Sequence, residues 1–237
     1  MTMCSLDASP RRSPGYCALL VALGWLHALA ASTVRAEESR RTLPSPSVAY
    51  AARLVIRAGA LEISGRVFHR PDRECRELEV PGLRPVTRIR IVRRDLGVLW
   101  VLNPSARVFT ALPATSDDDL AQRPLEELVE LGPDAVEGLD ARRVRVRFAV
   151  QPGGQQLSGE AWLSEQDILL RLNGQTTRRS DGRVTPFRLE LRELVVAPQP
   201  DERFEIPDGY REVSPTSPVL LEGSREAPRS RHPEDSR

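Results

Sequence analysis

The chain has 237 residues, and its 34 basic and 33 acidic residues give a net charge of +1. A nucleic-acid-binding protein usually carries a strongly basic surface interleaved with aromatic residues, whereas this sequence is nearly neutral and only 5% aromatic. We therefore exclude nucleic acid as a partner.

The N-terminus has the three parts of a secretory signal peptide. A basic pair, Arg11-Arg12, precedes an apolar run over residues 16–31, and small residues occupy the −3 and −1 positions of cleavage sites after Ala30 and Ala36. The run is shorter than the ~20 residues that span a bilayer. We predict that residues 1–36 are a cleaved signal peptide, that the mature chain has no transmembrane span, and that it lies in the periplasm, secreted or associated with the envelope.

After residue 36 the sequence holds two His, His69 and His232, and one Cys, Cys75. Zinc sites and histidine-based acid–base catalysis need such residues in clusters, and no Gly-x-Ser-x-Gly nucleophile elbow is present. We therefore predict that the protein is not an enzyme and uses no metal and no cofactor. Cys75 has no partner for an intramolecular disulfide, and we interpret it as a buried small apolar residue.

Composition divides the mature chain into three segments. Residues 37–48 are charged and rich in Pro and Ser, which predicts a linker. Residues 49–213 form the folded domain. Residues 214–237 are rich in Pro, Ser, Glu and Arg with few apolar residues, which predicts a disordered tail.

Apolar and polar residues alternate with a period of two through the domain, a pattern typical of half-buried β-strands. Turn signals rich in Gly, Pro, Asn and Asp separate ten such segments. The connections are too short for crossover helices, so we expect mostly antiparallel pairing. The predicted strands cover residues 50–57, 61–69, 73–79, 86–93, 97–103, 106–111, 142–150, 156–163, 168–177 and 186–196.

One helix is predicted among these strands. Pro124 suits a first helical position, Leu125, Leu128 and Val129 form an apolar stripe, and Gly132-Pro133 ends the segment. One helix of about eight residues cannot cover the apolar face of ten strands. The sheet must therefore close into a barrel, fold over as a sandwich, or curve strongly and leave its concave face partly open for an apolar ligand.

Three stretches of the domain carry a family resemblance. They are residues 65–69 (Gly-Arg-Val-Phe-His), residues 97–104 (Gly-Val-Leu-Trp-Val-Leu-Asn-Pro), continued by 107–109 and 112–113, and residues 204–210 (Phe-Glu-Ile-Pro-Asp-Gly-Tyr). Together they resemble the LolA-like superfamily, which includes the periplasmic lipoprotein carrier, outer-membrane lipoprotein-sorting proteins and several exported families. The resemblance extends over most of the domain, and its motifs are structural.

The resemblance implies a mainly β domain, a strongly curved and incomplete antiparallel β-barrel with a short helical lid over an apolar cavity. It implies a non-enzymatic periplasmic protein that binds a lipid, an acyl chain or a lipoprotein. The alternative is a protein-binding or sensor module of the cell envelope that uses the same shell.

Candidate site residues follow from this resemblance and from the apolar strand faces. We expect Trp100 against the cavity and the other candidates on the same face, with three lid residues above them. Arg90 and Arg93 both lie in the region of the carrier's functional Arg. The cavity candidates are Trp100, Ile89, Ile91, Phe109, Val146, Phe148, Leu163, Leu189 and Leu191, and the lid residues are Leu125, Leu128 and Val129.

Overall fold

The computed structural model describes residues 41–80 and 86–221, so the predicted signal peptide and most of the predicted tail lie outside the described residues. These residues form one sheet, three 3-10 turns (Ser116–Asp118, Leu120–Gln122 and Asp201–Phe204) and one short helix, α1 (Pro218–Leu221). The strands are β1 (Tyr50–Ala58), β2 (Leu61–Arg70), β3 (Arg73–Val80), β4 (Val86–Arg93), β5 (Val98–Asn103), β6 (Val108–Pro113), β7 (Leu125–Val136), β8 (Leu139–Phe148), β9 (Gln155–Leu163), β10 (Leu169–Arg178), β11 (Val184–Val196) and β12 (Arg211–Glu212).

The strands follow the order β12-β6-β5-β4-β3-β2-β1-β11-β10-β9-β8-β7 across the sheet. Neighbours pair antiparallel, except that the two-residue strand β12 runs parallel to β6. The sheet is curved and open, because β12 and β7 stand at opposite edges and do not pair. The predicted mainly β, curved and incomplete antiparallel architecture is thus confirmed, and all ten predicted strands are present as β1–β6 and β8–β11.

The curvature brings distant strands together on one side of the sheet. Glu74 of β3 and Leu163 of β9 line the same small cavity, although four strands separate β3 from β9 in the sheet. We call the side that lines this cavity the inner face and the opposite side the outer face. The main hydrophobic core lies largely on the inner face, and its buried members include Leu54, Val67, Val144, Val146, Phe148, Leu163, Leu170, Leu172, Leu189 and Leu191.

Residues 41–46, called the strap below, cover part of the inner face. Leu43 is only 1% exposed and belongs to the main core. The Leu125 amide donates to the Arg41 carbonyl at 2.7 Å, and Gln122 Nε2 donates to Ser45 Oγ at 2.8 Å. The segment predicted as a linker therefore contributes to the core from Arg41 onward.

The helix predicted over residues 124–131 is wrong, because this segment is the edge strand β7. A β-bulge between Leu125 and Glu127 inserts an extra residue, so Leu125 pairs with Phe148 while Leu128 pairs with Val146. Both leucines consequently face the core although they are three residues apart, a spacing that also fits a helix.

No helical lid is therefore formed by residues 124–131. Leu125 is buried in the main core and Leu128 packs against it. Val129 pairs with Arg145, away from the core, and is 42% exposed. Pro133 is compatible with β7 because an edge strand needs no outward hydrogen-bond donor.

A second, smaller core lies on the outer face of strands β2 to β6. It consists of Phe68, Cys75, Ile91, Leu102 and Phe204. Phe204 comes from the 3-10 turn Asp201–Phe204, and Tyr210 also packs against this cluster. The segment with the Phe-x-Ile-Pro-Asp-Gly-Tyr pattern therefore covers the outer face of this half of the sheet.

The first residues of the predicted tail also pack against the sheet. Helix α1 contacts β5 and β6, and Leu220 is buried. Asn103 Nδ2 donates to the Val219 carbonyl at 2.8 Å. The rest of the predicted tail lies outside the described residues.

Arginine and glutamate side chains pair on the outer face, both between neighbouring strands and along one strand. Glu190 of β11 is buried and accepts from Arg171 Nε at 3.1 Å, from Arg192 Nη2 at 2.9 Å and from Arg188. Burial raises the pKa of Glu190, but the hydrogen bonds from Arg188 and Arg192 outweigh it, so the net shift is downward. Each of these three guanidinium groups is thus paired with the Glu190 carboxylate.

Cys75 provides a test of packing on the outer face. Its side chain belongs to the second core and the residue is 2% exposed, and burial raises its thiol pKa to about 12. The thiolate is the reactive form, so we expect iodoacetamide at pH 8 to leave Cys75 unmodified in the folded protein and to alkylate it fully in denaturant, as read by peptide mass mapping. Rapid alkylation of the native protein would contradict this packing.

Candidate functional site

The inner face and the strap enclose a cavity of about 60 Å³. It is smaller than the cavity of about 150 Å³ that holds one benzene molecule in an engineered protein. Its walls are mainly apolar, and Leu43 and Pro46 of the strap close it on one side. The apolar residues of the sheet that line it are Leu54, Val67, Leu163, Leu169, Leu189 and Leu191.

The structure brings five of the nine predicted cavity residues together. Leu163, Leu189 and Leu191 line the cavity. Val146 and Phe148 belong to the same main core without lining the cavity. These five come from β8, β9 and β11, where the apolar side of the alternation faces inward.

The remaining four predicted residues, Ile89, Ile91, Trp100 and Phe109, are on the outer face. Ile91 pairs with both Cys75 and Trp100 in the register, and all four pack in the second core. The expectation that Trp100 lies against the cavity is therefore wrong. The reason is that the apolar side of β4 and β5 faces the 204–210 segment rather than the strap.

Arg93 joins the outer-face cluster to the 204–210 segment. Its guanidinium lies 5.7 Å from the Trp100 ring centroid, donates to Asp95 at 2.7 Å and donates to Glu205 Oε1 at 2.5 Å. Arg90, the other candidate for a functional Arg, pairs with Arg76 in the register and contacts Asp118 at 2.5 Å. Of the two candidates, Arg90 is the one on the inner side.

The inward side of β2 and β3 is polar at one end of the cavity. Tyr50, His69 and Glu74 pair in register across β1, β2 and β3. The rings of Tyr50 and His69 stack with centroids 4.8 Å apart. His69 Nδ1 lies 3.3 Å from Glu74 Oε2, and Glu74 Oε1 lies 2.5 Å from Arg76 Nη2. We call Tyr50, His69, Glu74, Arg76, Arg94 and Asp119 the polar end of the cavity.

Arg94 and Asp119 complete this polar end from outside the strands. Arg94 follows β4 and donates to Asp119 Oδ2 from Nε at 3.1 Å and from Nη2. Asp119 Oδ1 in turn accepts from the Ala121 amide at 3.0 Å, which caps the 3-10 turn Leu120–Gln122. The turn and the sheet are thus connected by a buried ion pair.

Burial and charge shift the pKa values of Glu74 and Tyr50 at the polar end. Burial raises the pKa of Glu74, but the charge of Arg76 and the hydrogen bond from His69 outweigh it and lower the pKa to about 2. Burial, followed by the charge of Glu74, raises the pKa of Tyr50. Glu74 is therefore ionised and Tyr50 is neutral near neutral pH.

The polar end does not follow from the sequence if the apolar side of every strand is assumed to face the interior. In β2 and β3 the residues that face inward include His69 and Glu74, and this follows only from their register with Tyr50. The sequence does indicate that His69 and Glu74 are cross-strand neighbours. They are equally far from the Pro71-Asp72 turn, and two residues equidistant from a hairpin turn lie opposite each other.

Within residues 41–80 and 86–221, no group of three or more His, Cys, Asp or Glu residues is placed to hold a metal ion. In the same part of the chain, no helix is long and apolar enough to cross a membrane.

Solved structures similar to this chain include the following two. LprF from Mycobacterium bovis is 14% identical in sequence, with a TM-score of 0.37, and the match covers 69% of this chain and 90% of that one. A DUF1329 family protein from Desulfovibrio piger is 12% identical, with a TM-score of 0.34 and coverage of 69% and 91%. No protein-family model matches the sequence, and a comparison with curated proteins finds no match.

Proposed function

We propose that the protein is an exported, non-enzymatic periplasmic protein that binds an acyl chain, either of a free lipid or of a lipoprotein, on the inner face of its sheet. The observation that carries this proposal is an apolar cavity closed by a strap that is not part of the sheet. The resemblance to LolA-like proteins and the signal-peptide pattern of residues 1–36 support the same function.

The cavity as it stands is too small for an acyl chain, so binding requires the strap to move. Among the described residues, one backbone hydrogen bond, from Leu125 to Arg41, joins the strap to a strand. The strap is otherwise held by Leu43 and by side-chain contacts such as that of Ser45. These contacts are few enough for a ligand to replace.

Transfer free energies favour replacing the buried Leu43 side chain by an acyl chain. Burying one leucine side chain is worth about 1.5–3 kcal/mol, whereas burying ~10 methylenes at ~0.8 kcal/mol each is worth roughly 8 kcal/mol before ordering costs. An acyl chain that takes the place of Leu43 among Leu54, Leu163 and Leu189 would therefore offset the loss of the strap contacts. The binding would be reversible and of micromolar order.

Loosening the strap should strengthen acyl binding. We expect Leu43→Ala to lower the free energy of unfolding by about 2–5 kcal/mol. It should also increase the affinity for a fluorescent acyl probe at least about tenfold, because the acyl chain then has to displace fewer contacts between the strap and the core. Probe titration and urea unfolding measure the two effects on the same preparation.

The matched control is Leu102→Ala. Leu102 is fully buried in the second core on the outer face, so its truncation should cost similar stability without increasing probe affinity. Equal affinities of the two variants would contradict gating by the strap. A well-folded protein that takes up no acyl probe in any variant would contradict the proposed function, and would leave the protein-binding module of the envelope as the remaining hypothesis.

A further inference from the structure

The polar end of the cavity contains two buried nitrogen atoms without a hydrogen-bond partner among the described residues. One is Nε2 of His69, a residue that lines the cavity and is 3% exposed. The other is Nη1 of Arg94, whose Nε and Nη2 already bind Asp119. A buried polar atom without a partner is costly, so these two atoms mark a place where polar ligand atoms would be stabilised.

The contact with Glu74 determines what His69 presents to the cavity. The Glu74 carboxylate is ionised and can only accept a hydrogen bond, so His69 Nδ1 carries the hydrogen and donates it across 3.3 Å. When the ring is neutral, Nε2 is then a hydrogen-bond acceptor. Arg94 Nη1 can only donate. Glu74 Oε1 also has no hydrogen-bond partner among the described residues but lies 2.5 Å from Arg76 Nη2 in an ion pair. The remaining free positions at the polar end are therefore one acceptor and one donor.

We propose that the polar end is the headgroup subsite for the free carboxyl group of a long-chain fatty acid, an inference that rests on the acyl binding proposed above. The acid O–H donates to His69 Nε2, and the acid carbonyl accepts from Arg94 Nη1. When the proton passes to the ring, the carboxylate accepts from both nitrogens. A carboxylic acid therefore satisfies both protein atoms in either protonation state, and its chain extends along Leu54, Leu189 and Leu191.

Other headgroups fit the polar end less well. An ester has no O–H group and leaves His69 Nε2 without a partner. A phosphate would need excess positive charge, but Arg76 is paired with Glu74 and Arg94 with Asp119. Tyr50, Arg90 and Asp118 are further neighbours on this side, and Arg90 is paired with Asp118. Asp167 also lines the cavity and is paired with Arg142 at 2.6 Å. The cluster therefore favours a single carboxyl group.

The test compares dodecanoic acid with its methyl ester on the full chain at pH 7, by displacement of a fluorescent acyl probe. We expect the acid to bind at least about tenfold more tightly than the ester, as a charge-assisted hydrogen bond warrants. Equal affinities of acid and ester would overturn the headgroup subsite and leave acyl binding standing. Failure of both ligands to bind would overturn the proposed function as well.

Two substitutions of His69 separate its two nitrogens. His69→Asn keeps an amide nitrogen near the position of Nδ1, where it can donate to Glu74, but has no atom near the position of Nε2. The preference for the acid over the ester should therefore fall to less than about twofold, and the affinity for the ester should stay the same. His69→Gln places its amide near Nε2 and should keep part of the preference. Full preference in a folded His69→Asn variant would overturn the role of Nε2.

Discussion

Glu74→Gln should destabilise the protein by about 3 kcal/mol, because removing one partner of a buried ion pair leaves the other charge uncompensated. Glu74 is 4% exposed and contacts Arg76 at 2.5 Å and His69 at 3.3 Å. Gln has nearly the same shape but no charge, so the guanidinium of Arg76 stays largely buried without its counter-ion. Urea unfolding at pH 7, followed by tryptophan fluorescence, measures the loss.

The pH dependence of this loss has a definite sign. The folded protein lowers the pKa of Glu74 to about 2, so the unfolded state binds a proton more readily. The stabilisation by the Glu74 carboxylate is therefore complete above about pH 5 and is lost as the pH falls toward 2. Glu74→Gln should show a smaller decrease of stability between pH 5 and pH 2 than the unmodified protein.

Glu79→Gln is the matched control for Glu74→Gln. Glu79 lies on the same strand and is exposed, so its neutralisation should change the free energy of unfolding by less than about 0.5 kcal/mol. Equal stability losses in the two variants would show that Glu74 contributes no more than a surface charge. That result would contradict the buried ion pair at the polar end.

Gly65→Ala should destabilise the protein by about 3 kcal/mol or more, because β2 has no room for a side chain at this position. A Cβ on Gly65 would lie 1.9 Å from the Glu77 carbonyl oxygen and 2.9 Å from the Leu78 Cα. Both are backbone atoms of β3, so relief would require the two strands to separate. Gly159 and Gly174 show the same close approach between β9 and β10.

The control for Gly65→Ala is Gly153→Ala, in the connection between β8 and β9. A Cβ on Gly153 would meet no atom within 4 Å, so the substitution should be neutral or raise stability by up to about 1 kcal/mol through the unfolded state. Thermal unfolding of the two variants provides the comparison. Similar melting temperatures would contradict the lack of room for a Cβ between β2 and β3 at Gly65.

The strands could be predicted from the sequence because each one alternates between two environments. β8 keeps this alternation from Arg143 to Phe148, and the predicted bounds of β1 and β8 differ from the observed ones by at most three residues. β7 could not be predicted in the same way, since its bulge gives Leu125 and Leu128 a helical spacing. Strand β12 has only two residues and carries no periodicity.

The site was only partly predictable, because local alternation gives two faces without saying which one faces the interior. In β11 the apolar face is the inner one, and Leu189 and Leu191 line the cavity. In β4 and β5 the apolar face is covered by the distant Phe204 segment, so Trp100 lies on the outer side. The polar end depends on the register of three strands and on Asp119, none of which is a local property of the sequence.

The most direct measurement is a crystal structure of the full chain grown with a long-chain fatty acid. The predicted result is an acyl chain on the inner face along Leu54, Leu163 and Leu189, with the strap displaced and the carboxyl group at His69. An unchanged strap, with Leu43 still in the core and no ligand on the inner face at saturating fatty acid, would contradict the claim that this sheet holds an acyl chain.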